Sequence, residues 1–328
     1  MKIKPFFFAL SVIAILYSCS GGEPRIARSV GATSEILVVT QNEGQWNGPI
    51  GEAVRAFFGR EQYGLPQGEP TYKVTSINVA KLSDMFKKHR NLFVIEIDPK
   101  LKEAIVEART DVWSKPQRII KITAPDATTW LDAFDKQKEG LMLLYDQTER
   151  ERLMNIFRPT AKVDVMEAVF KAFALKMTIP EGFYIAKSEP GFMWIRKETN
   201  DFSQGFILYQ RPYRDTTQFT LNRLVRLRDS LVMQHIPGPS DGSFMSTERE
   251  FTPPVSHPTA HFVTDYAVEM RGMWNVTGDF MAGPYVSFTF VNPVSKQLVT
   301  AEGYVYAPGK DKRDLLRQLE ALLYSITF

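Results

Sequence analysis

Four histidines and one cysteine are the residues of this 328-residue chain best suited to metal or nucleophilic chemistry. Two of the histidines, His257 and His261, stand four apart, a spacing that places two zinc ligands on one face of a helix. Pro258 lies between them, however, and four residues of extended chain span about 13 Å, too far for one ion. The pattern favours surface or structural histidines, with a metal site as the alternative.

Sequence motifs of hydrolases are absent. There is no G-x-S-x-G elbow, H-E-x-x-H pair, cysteine pair, calcium loop or glycine-rich phosphate loop. Ser243 is predicted to be a turn residue, although a Ser–His arrangement depends on geometry and stays open. A glycosidase-like carboxylate pair also stays open, with Glu269, Asp279 and Glu302 as the acids that interrupt apolar strands or a tight turn. The favoured interpretation places these three acids at solvent-facing positions of a half-exposed sheet.

An unusual density of aromatic and thioether side chains lies between residues 271 and 285, around glycines that permit tight turns. They would suit a binding groove for a peptide, glycan or lipid. The favoured alternative is a core corner in which the glycines form a hairpin and the rings fill the interior. The candidate groove residues are Arg271, Trp274, Asp279, Phe280, Met281 and Tyr285.

The single cysteine, Cys19, follows an N-terminal segment with the layout of a secretory signal. Lys2 and Lys4 precede an apolar run at residues 6–17 that is too short to span a bilayer. A cysteine after a small residue resembles the bacterial lipobox, in which the thiol is acylated and becomes the first residue of the mature protein. We therefore predict a lipoprotein signal peptide over residues 1–18; the alternative is an ordinary signal peptide that ends near a cysteine.

Acylation of Cys19 would consume the only thiol and anchor the protein in a membrane through lipid. No disulfide, cysteine metal site or cysteine nucleophile would then remain. Ser20 is not the aspartate that retains lipoproteins in the inner membrane of enteric bacteria, and no acidic run follows it. The sequence therefore favours a location in the cell envelope, on the outer membrane facing the periplasm.

Charge and length limit the remaining classes of function. The formal net charge of +3 falls to +1 without Lys2 and Lys4, so nucleic-acid binding is not expected. No later segment has the ~20 consecutive apolar residues of a membrane-spanning helix. No motif implies a cofactor. The length allows two domains.

Strand and helix patterns divide the rest of the chain into two lobes. Residues 19–33 would be the lipidated cysteine and a flexible tether. Residues 34–158 alternate strand and helix, which predicts a first α/β lobe. Residues 159–328 predict a second α+β lobe, mainly antiparallel sheet with packed helices. The fold class is therefore α+β with two lobes.

The predicted elements follow from hydrophobic periodicity and turn residues. Strands are expected at residues 35–40, 71–78, 91–98, 118–123, 183–187, 192–196, 205–209, 244–250, 261–275, 283–292 and 298–306. Helices are expected at residues 49–58 after an Asn47 cap, 79–89, 128–177 with breaks at Arg158-Pro159 and Glu139-Gly140, 220–235 and 310–326. The charged residues of the helix at 220–235 (Arg223, Arg226, Arg228 and Asp229) are expected to form a solvated face.

Three strings carry a resemblance to a known family: GPIGEAVRAFFG (48–59), DVWSKPQ (111–117), and a closing block at 271–289 and 302–325. Together they resemble an uncharacterised family of Gram-negative bacterial lipoproteins with a domain of unknown function. The resemblance implies an envelope location and transfers no catalytic residue. From residue 179 onward the order of elements is also similar to the PsbP-like α/β/α sandwich, a likeness of fold alone.

We therefore expect a membrane-anchored periplasmic lipoprotein with a non-enzymatic binding or envelope-maintenance role. Its partner would be an envelope protein, glycan or peptide. The alternative is a periplasmic hydrolase whose carboxylate or Ser–His chemistry leaves no sequence signature. A deep cleft with convergent polar groups and shifted pKa values would favour the hydrolase, whereas a shallow aromatic groove would count against it.

Overall fold

A five-stranded sheet organises the first lobe in the computed structural model, which describes residues 26–260 and 262–328. Cys19 and His261 lie outside the described residues. The strands are β1 (Glu35–Thr40), β2 (Lys73–Asn78), β3 (Asn91–Ile97), β4 (Ile105–Thr110) and β5 (Arg118–Ala124). Their order is β2-β1-β3-β5-β4, and only β4 runs antiparallel to its neighbour.

Helices cover one face of this sheet. The four helices of the lobe are α1 (Glu43–Asn47), α2 (Pro49–Phe58), α3 (Asp84–Lys87) and α4 (Ala127–Phe157). Aromatic rings from α2 and α4, among them Phe58 and Trp130, pack without exposure against the aliphatic residues of β1, β3 and β5. Asp126 caps α4, since its Oδ1 accepts a hydrogen bond from the Thr129 amide at 2.8 Å.

An eight-stranded antiparallel sheet organises the second lobe. The strands are β6 (Tyr184–Glu189), β7 (Phe192–Glu198), β8 (Ser203–Pro212), β9 (Phe244–Thr247), β10 (Val255–Thr259), β11 (Ala267–Thr277), β12 (Ala282–Val291) and β13 (Gln297–Tyr306). Their order is β10-β11-β12-β13-β8-β7-β6, and β9 pairs with the far end of β11. The α+β class with two lobes is as predicted.

Helices lie on both faces of the second sheet. They are α5 (Val163–Phe173), α6 (Leu221–His235) and α7 (Arg313–Leu323). Side chains alternate along a strand, so each strand contributes to two cores. In β13, Val299 and Val305 pack in the core with α5 and α7, whereas Tyr304 packs in the core with α6. We call these two sides the α7 face and the α6 face.

A polar interface joins the lobes. The Glu69 carboxylate of the first lobe accepts hydrogen bonds from the backbone amides of Lys312 at 2.8 Å and Arg313 at 2.9 Å, at the start of α7. Arg317 of α7 donates to the Tyr72 hydroxyl at 2.8 Å and to Asp146 at 3.1 Å. The first lobe therefore caps and holds the last helix of the second.

Two predicted helix features are wrong. The helix α4 continues through Glu139-Gly140 without a break, because Gly140 faces open space and costs only helix propensity. Asn47 is the last residue of α1 and not the cap of α2, whose N-cap is Gly48. The predicted break at Arg158-Pro159 is confirmed by a 3₁₀ turn there.

Other differences concern short or exposed elements. The helix predicted at residues 79–89 is a 3₁₀ turn followed by the four-residue α3. The strand predicted from residue 261 begins at Ala267. The strands β4 and β10 were not predicted. Both lie at a sheet edge, where a half-exposed sequence has weak alternation and a residue such as Pro258 is tolerated.

Candidate functional site

A pocket opens on the α6 face beyond the end of α6. Its volume is about 480 Å³, within the range of small-molecule sites. We call it the aromatic pocket. It is lined by the aromatic residues Trp194, Trp274, Tyr304 and Tyr306, by Ile236, Pro237, Gly238, Pro239, Met245, Val276 and Met281, and by the polar residues Arg196, Glu198 and Ser203.

Two glycines allow the aromatic rings to lie against the sheet. A Cβ at Gly205 would clash with the ring of Tyr304, its partner across the β8–β13 ladder. A Cβ at Gly283 would meet the indole of Trp274 and the Val305 carbonyl. The floor of the pocket therefore depends on the absence of two side chains.

Hydrogen bonds fix the orientation of these rings. Trp194 donates its indole N–H to the Tyr304 hydroxyl at 2.7 Å, and Trp274 donates to the Val305 carbonyl at 3.2 Å. Burial raises the pKa of Tyr304 to about 12, against the lowering effect of the Trp194 hydrogen bond. The hydroxyl is therefore neutral at physiological pH. The floor is rigid and apolar.

Residues 236–239 form the wall next to α6. The Met245 amide donates to the Ile236 carbonyl at 3.1 Å. The Ser240 hydroxyl donates to Asp279 at 2.8 Å, which ties the loop after α6 to the tip of the β11–β12 hairpin. The wall is thus held by hydrogen bonds from two directions.

Arg196, Glu198 and Ser203 form a polar corner of the pocket. The Arg196 guanidinium lies 4.7 Å from the centre of the Trp194 ring and pairs with the Glu198 carboxylate. The Nε of Arg196 is buried, and no described residue accepts its hydrogen bond. The Arg196 guanidinium and the Ser203 hydroxyl are hydrogen-bond donors that line the pocket, so this corner suits a ligand with an accepting group.

The structure separates the six groove residues that the sequence placed together. Trp274 and Met281 line the aromatic pocket. Tyr285 is fully buried on the α6 face, and Phe280 is fully exposed at the hairpin tip. Asp279 accepts the Ser240 hydrogen bond. Arg271 lies on the α7 face, where it pairs with Glu269 and with Glu320 at 2.8 Å. The cation of the pocket is instead Arg196.

Sequence reasoning missed most of the pocket because its residues come from β7, β8, β9, β11, β13 and the loop after α6. One signal was present. Trp194 and Arg196 are two apart, as are Tyr304 and Tyr306, so each pair lies on one side of its strand. That the two strands lie on either side of β8 is a property of the tertiary fold.

Arg228 and Glu302 form a fully buried ion pair, which corrects two predictions of solvent exposure. Neither side chain has exposed surface, and their two hydrogen bonds measure 2.7 and 2.8 Å. The solvated face predicted for α6 holds for Arg223 and Arg226, but is wrong for Arg228. The prediction for Glu302 is wrong because β13 is buried on both faces.

The surroundings of this pair explain its burial. The Thr247 hydroxyl accepts a hydrogen bond from Arg228 at 2.9 Å, and the Tyr285 ring lies 4.3 Å from the guanidinium carbon. Burial raises the pKa of Glu302, and the charge and hydrogen bonds of Arg228 oppose that rise. The pair has no route to a substrate and links α6 to β13.

Two acids between the lobes, Asp146 and Glu320, are bound to arginines. Glu320 accepts a hydrogen bond from Arg271 at 2.8 Å and lies 3.5 Å from Arg150. Burial tends to raise the pKa of Glu320, but the nearby arginines outweigh it and lower the pKa to about 2. A carboxylate that stays ionised in an arginine pair is poorly suited to general acid catalysis at neutral pH. Three of the acids that line the cleft of about 360 Å³ beside it, Asp146, Glu269 and Glu320, are each paired with an arginine.

The described histidines occupy separate structural positions. His89 is buried, with one ring nitrogen 2.9 Å from the Asn91 carbonyl. His235 stacks on Phe192, with ring centres 4.2 Å apart. His257 lies in the strand β10, so the segment that contains Pro258 is extended and not helical.

Neither a metal cluster nor a Ser–His hydrogen bond occurs within the described parts of the chain, residues 26–260 and 262–328. The Ser243 hydroxyl donates to the Ser240 carbonyl at 2.6 Å, which fits the turn role predicted for it.

Comparison with protein families matches both parts of the chain. Residues 162–325 match the family described as Domain of unknown function (DUF4837), and this match spans half of the chain. The chain belongs to the DUF4837 family. Residues 29–158 match a second family, Domain of unknown function (DUF8532). Every residue of the aromatic pocket lies within the DUF4837 segment.

Comparison with curated proteins found no match to this DUF4837 chain. Among solved structures it is similar to LpqN of Mycobacterium tuberculosis, described as involved in cell envelope biogenesis. The two are 12% identical over 47% of this chain and 82% of LpqN, with a TM-score of 0.27. That score is too low to support an argument about fold or function. None of the described helices is long and apolar enough to cross a membrane.

Proposed function

We propose that this DUF4837 chain is a lipid-anchored protein of the bacterial cell envelope that binds an amphipathic small molecule in the aromatic pocket. The observation that carries the proposal is the pocket itself, which is mostly apolar and has one polar corner where Arg196 pairs with Glu198. A periplasmic hydrolase is less well supported, because Asp146 and Glu320 between the lobes are paired with arginines and Glu302 has no exposed surface.

The shape of the pocket indicates the class of ligand. Trp274 and Tyr304 are only 2% and 4% exposed, so they offer a ligand little ring surface. A sugar would need an open ring face to stack on. An acyl or aromatic body fits the apolar walls better, with an acidic or other hydrogen-bond-accepting end beside Arg196 and Ser203.

Ligand identity is tested by extraction from the natively purified chain. Small molecules are extracted from the wild type, Met281→Trp and Met233→Trp and compared by mass spectrometry. Met281 is at the pocket, whereas Met233 is an exposed residue of α6 outside it. We expect an amphipathic species in the wild type and Met233→Trp that is lost in Met281→Trp. Equal extracts from all three, or a peptide or glycan in their place, would overturn the proposed ligand.

The anchor is supported by the signal-like layout of residues 1–18 and the position of Cys19. Cells expressing the wild type or Cys19→Ser are grown with radioactive palmitate and fractionated. We expect the wild type to carry label in the membrane fraction and Cys19→Ser to lose it. A wild-type chain without label would contradict lipid attachment.

A further inference from the structure

Six large apolar side chains of the first lobe are exposed on three neighbouring segments. Their exposed fractions run from 36% at Phe86 to 62% at Met85, and Trp113 is 40% exposed. Large apolar side chains concentrated in this way mark an interaction surface. We call the set the anchor-proximal patch: Ile26, Val30, Met85, Phe86, Val112 and Trp113.

Backbone hydrogen bonds hold the three segments together. The Lys115 amide donates to the Ala27 carbonyl at 2.8 Å, and the Val30 amide donates to the Lys88 carbonyl at 3.0 Å. The Gln117 side chain, in the DVWSKPQ string, donates to the Lys87 carbonyl at 2.6 Å. Residues 26–30, 85–88 and 112–117 therefore belong to one surface.

The patch lies at one edge of the first sheet. Its three segments lead into β1, β3 and β5, which run parallel, so they meet where these strands begin. We call this end of the sheet the amino-terminal edge. The only other partly exposed tryptophan of this lobe's described residues is Trp46, which follows the carboxyl end of β1. It therefore lies at the opposite edge and serves as an internal reference.

Cations surround the apolar side chains. Five basic residues lie in residues 26–30, 84–90 and 111–117, against two acids, Asp84 and Asp111. Each acid is close to a lysine, at 3.0 Å from Lys87 and 3.8 Å from Lys115. Aromatic side chains flanked by basic residues are typical of surfaces that lie at the level of lipid headgroups. The basic residues are Arg28, Lys87, Lys88, Arg90 and Lys115.

The predicted anchor lies close to this surface in the sequence. Six residues lie between Cys19 and Ile26, and the distance from one to the other is at most about 25 Å when the chain is fully extended. An acyl chain on Cys19 would therefore hold the amino-terminal edge of the first sheet near the bilayer.

We propose that the anchor-proximal patch lies on the membrane surface, with Phe86 and Trp113 among the lipid headgroups and the lysines next to lipid phosphates. This rests on the lipid anchor proposed above. The bilayer thus orients the chain, with the amino-terminal edge of the first sheet against lipid and the edge that carries Trp46 away from it.

Tryptophan quenching by brominated lipid tests the orientation. The processed full chain is reconstituted in vesicles of phosphatidylcholine and phosphatidylglycerol, with or without bromine on the acyl chains near the headgroup. Wild type, Trp113→Phe and Trp46→Phe are compared. We expect bromine to lower the tryptophan emission of wild type and of Trp46→Phe by the same amount. This loss of emission should disappear in Trp113→Phe.

A second variant tests the patch while Trp113 is kept. Met85→Ser with Phe86→Ser removes apolar surface from exposed positions, so the fold is retained, as circular dichroism will show. We expect weaker quenching of Trp113 in this variant. Unchanged quenching would contradict a role for these side chains.

Flotation of the vesicles distinguishes failure of the membrane-facing patch from failure of the lipid anchor. A chain that floats with the vesicles, but whose quenching is the same in wild type and Trp113→Phe, keeps its anchor and overturns the membrane-facing patch. A chain that does not float, with no acyl group on Cys19 by mass spectrometry, overturns the anchor and the patch together.

Discussion

The two faces of the eight-stranded sheet are built from alternate residues of the same strands, yet they differ in kind. On the α7 face, aliphatic residues such as Val299 and Val305 fill the space beneath α5 and α7. On the α6 face, the same stretch of β13 contributes Glu302 to a buried ion pair and Tyr304 to a pocket.

The difference indicates a division of roles. The α7 face is filled, and its helix is capped by Glu69 of the first lobe, so changes there are expected to affect stability and the union of the lobes. The α6 face is covered only along α6 and is open beyond it. Recognition is expected there, with the Arg228–Glu302 pair holding α6 in place next to the pocket.

The largest effect is expected at the buried pair of the α6 face. Arg228→Met leaves the Glu302 carboxylate buried without its partner, which costs about 3–5 kcal/mol of unfolding free energy. Urea denaturation measures this loss. Adding Glu302→Leu to Arg228→Met should restore most of it, because a buried ion pair can be replaced by apolar residues. A loss below about 1 kcal/mol would mean that the pair does not hold α6 in place.

The next effect concerns the lobe interface beside the α7 face. Glu320 has a pKa of about 2 in the folded chain and an ordinary value of 4.5. A lowered carboxylate pKa stabilises the fold above the ordinary value, and that stability is lost as pH falls from 4.5 toward 2. The difference corresponds to about 3 kcal/mol.

Thermal unfolding between neutral pH and pH 2 tests this expectation. In Glu320→Gln the unfolding temperature should fall less steeply with acidity than in the wild type. Glu139→Gln is the matched control, because the Glu139–Arg60 pair is exposed and should contribute little. Parallel curves for wild type and Glu320→Gln would show that the arginine pairs of Glu320 do not stabilise the lobe interface.

A smaller effect is expected where the first lobe caps α7. Glu69→Ala removes the carboxylate that accepts both backbone hydrogen bonds at the start of the helix, at a cost of about 1–2 kcal/mol. Glu61→Ala, an exposed acid in the same loop, should change the free energy of unfolding by less than about 0.5 kcal/mol. Equal effects of the two substitutions would show that the Glu69 carboxylate does not stabilise the start of α7.

The smallest effect is expected in the first lobe, away from both faces of the eight-stranded sheet. Gly140 lies within α4 with open space around its Cα, so Gly140→Ala should stabilise the chain by about 0.5–1 kcal/mol through helix propensity alone. Chemical denaturation measures the gain. Destabilisation would show that a side chain at this position has a neighbour in solution.

The sequence predicted the strands and helices better than it predicted which of their side chains are buried. The period-two alternation of a strand places Val299 and Val305 on the side opposite Tyr304, and these residues do pack in different cores. It did not show that both sides are buried, because Thr300 and Glu302 are typical of a solvent-facing side until a helix covers them. Burial of Glu302 depends on Arg228 of α6, which is 74 residues away.

The pocket was harder to predict for a related reason. Trp274 and Met281 were found because they are close together in the sequence. Trp194, Arg196 and the residues after α6 join them only when β7, β8 and β13 pair. Arg271 was grouped with them as a candidate groove residue, although its spacing of three from Trp274 places the two on opposite sides of a strand.

Fluorescence titration with an anionic naphthalene sulfonate tests most directly whether the α6 face is the binding face. The probe has an aromatic body and an accepting end, and its emission is followed with wild type, Met281→Trp and Met233→Trp. Binding should weaken at least about tenfold in Met281→Trp, or about 1.4 kcal/mol, and stay at the wild-type affinity in Met233→Trp. Equal affinity for all three proteins would contradict a binding role for the aromatic pocket.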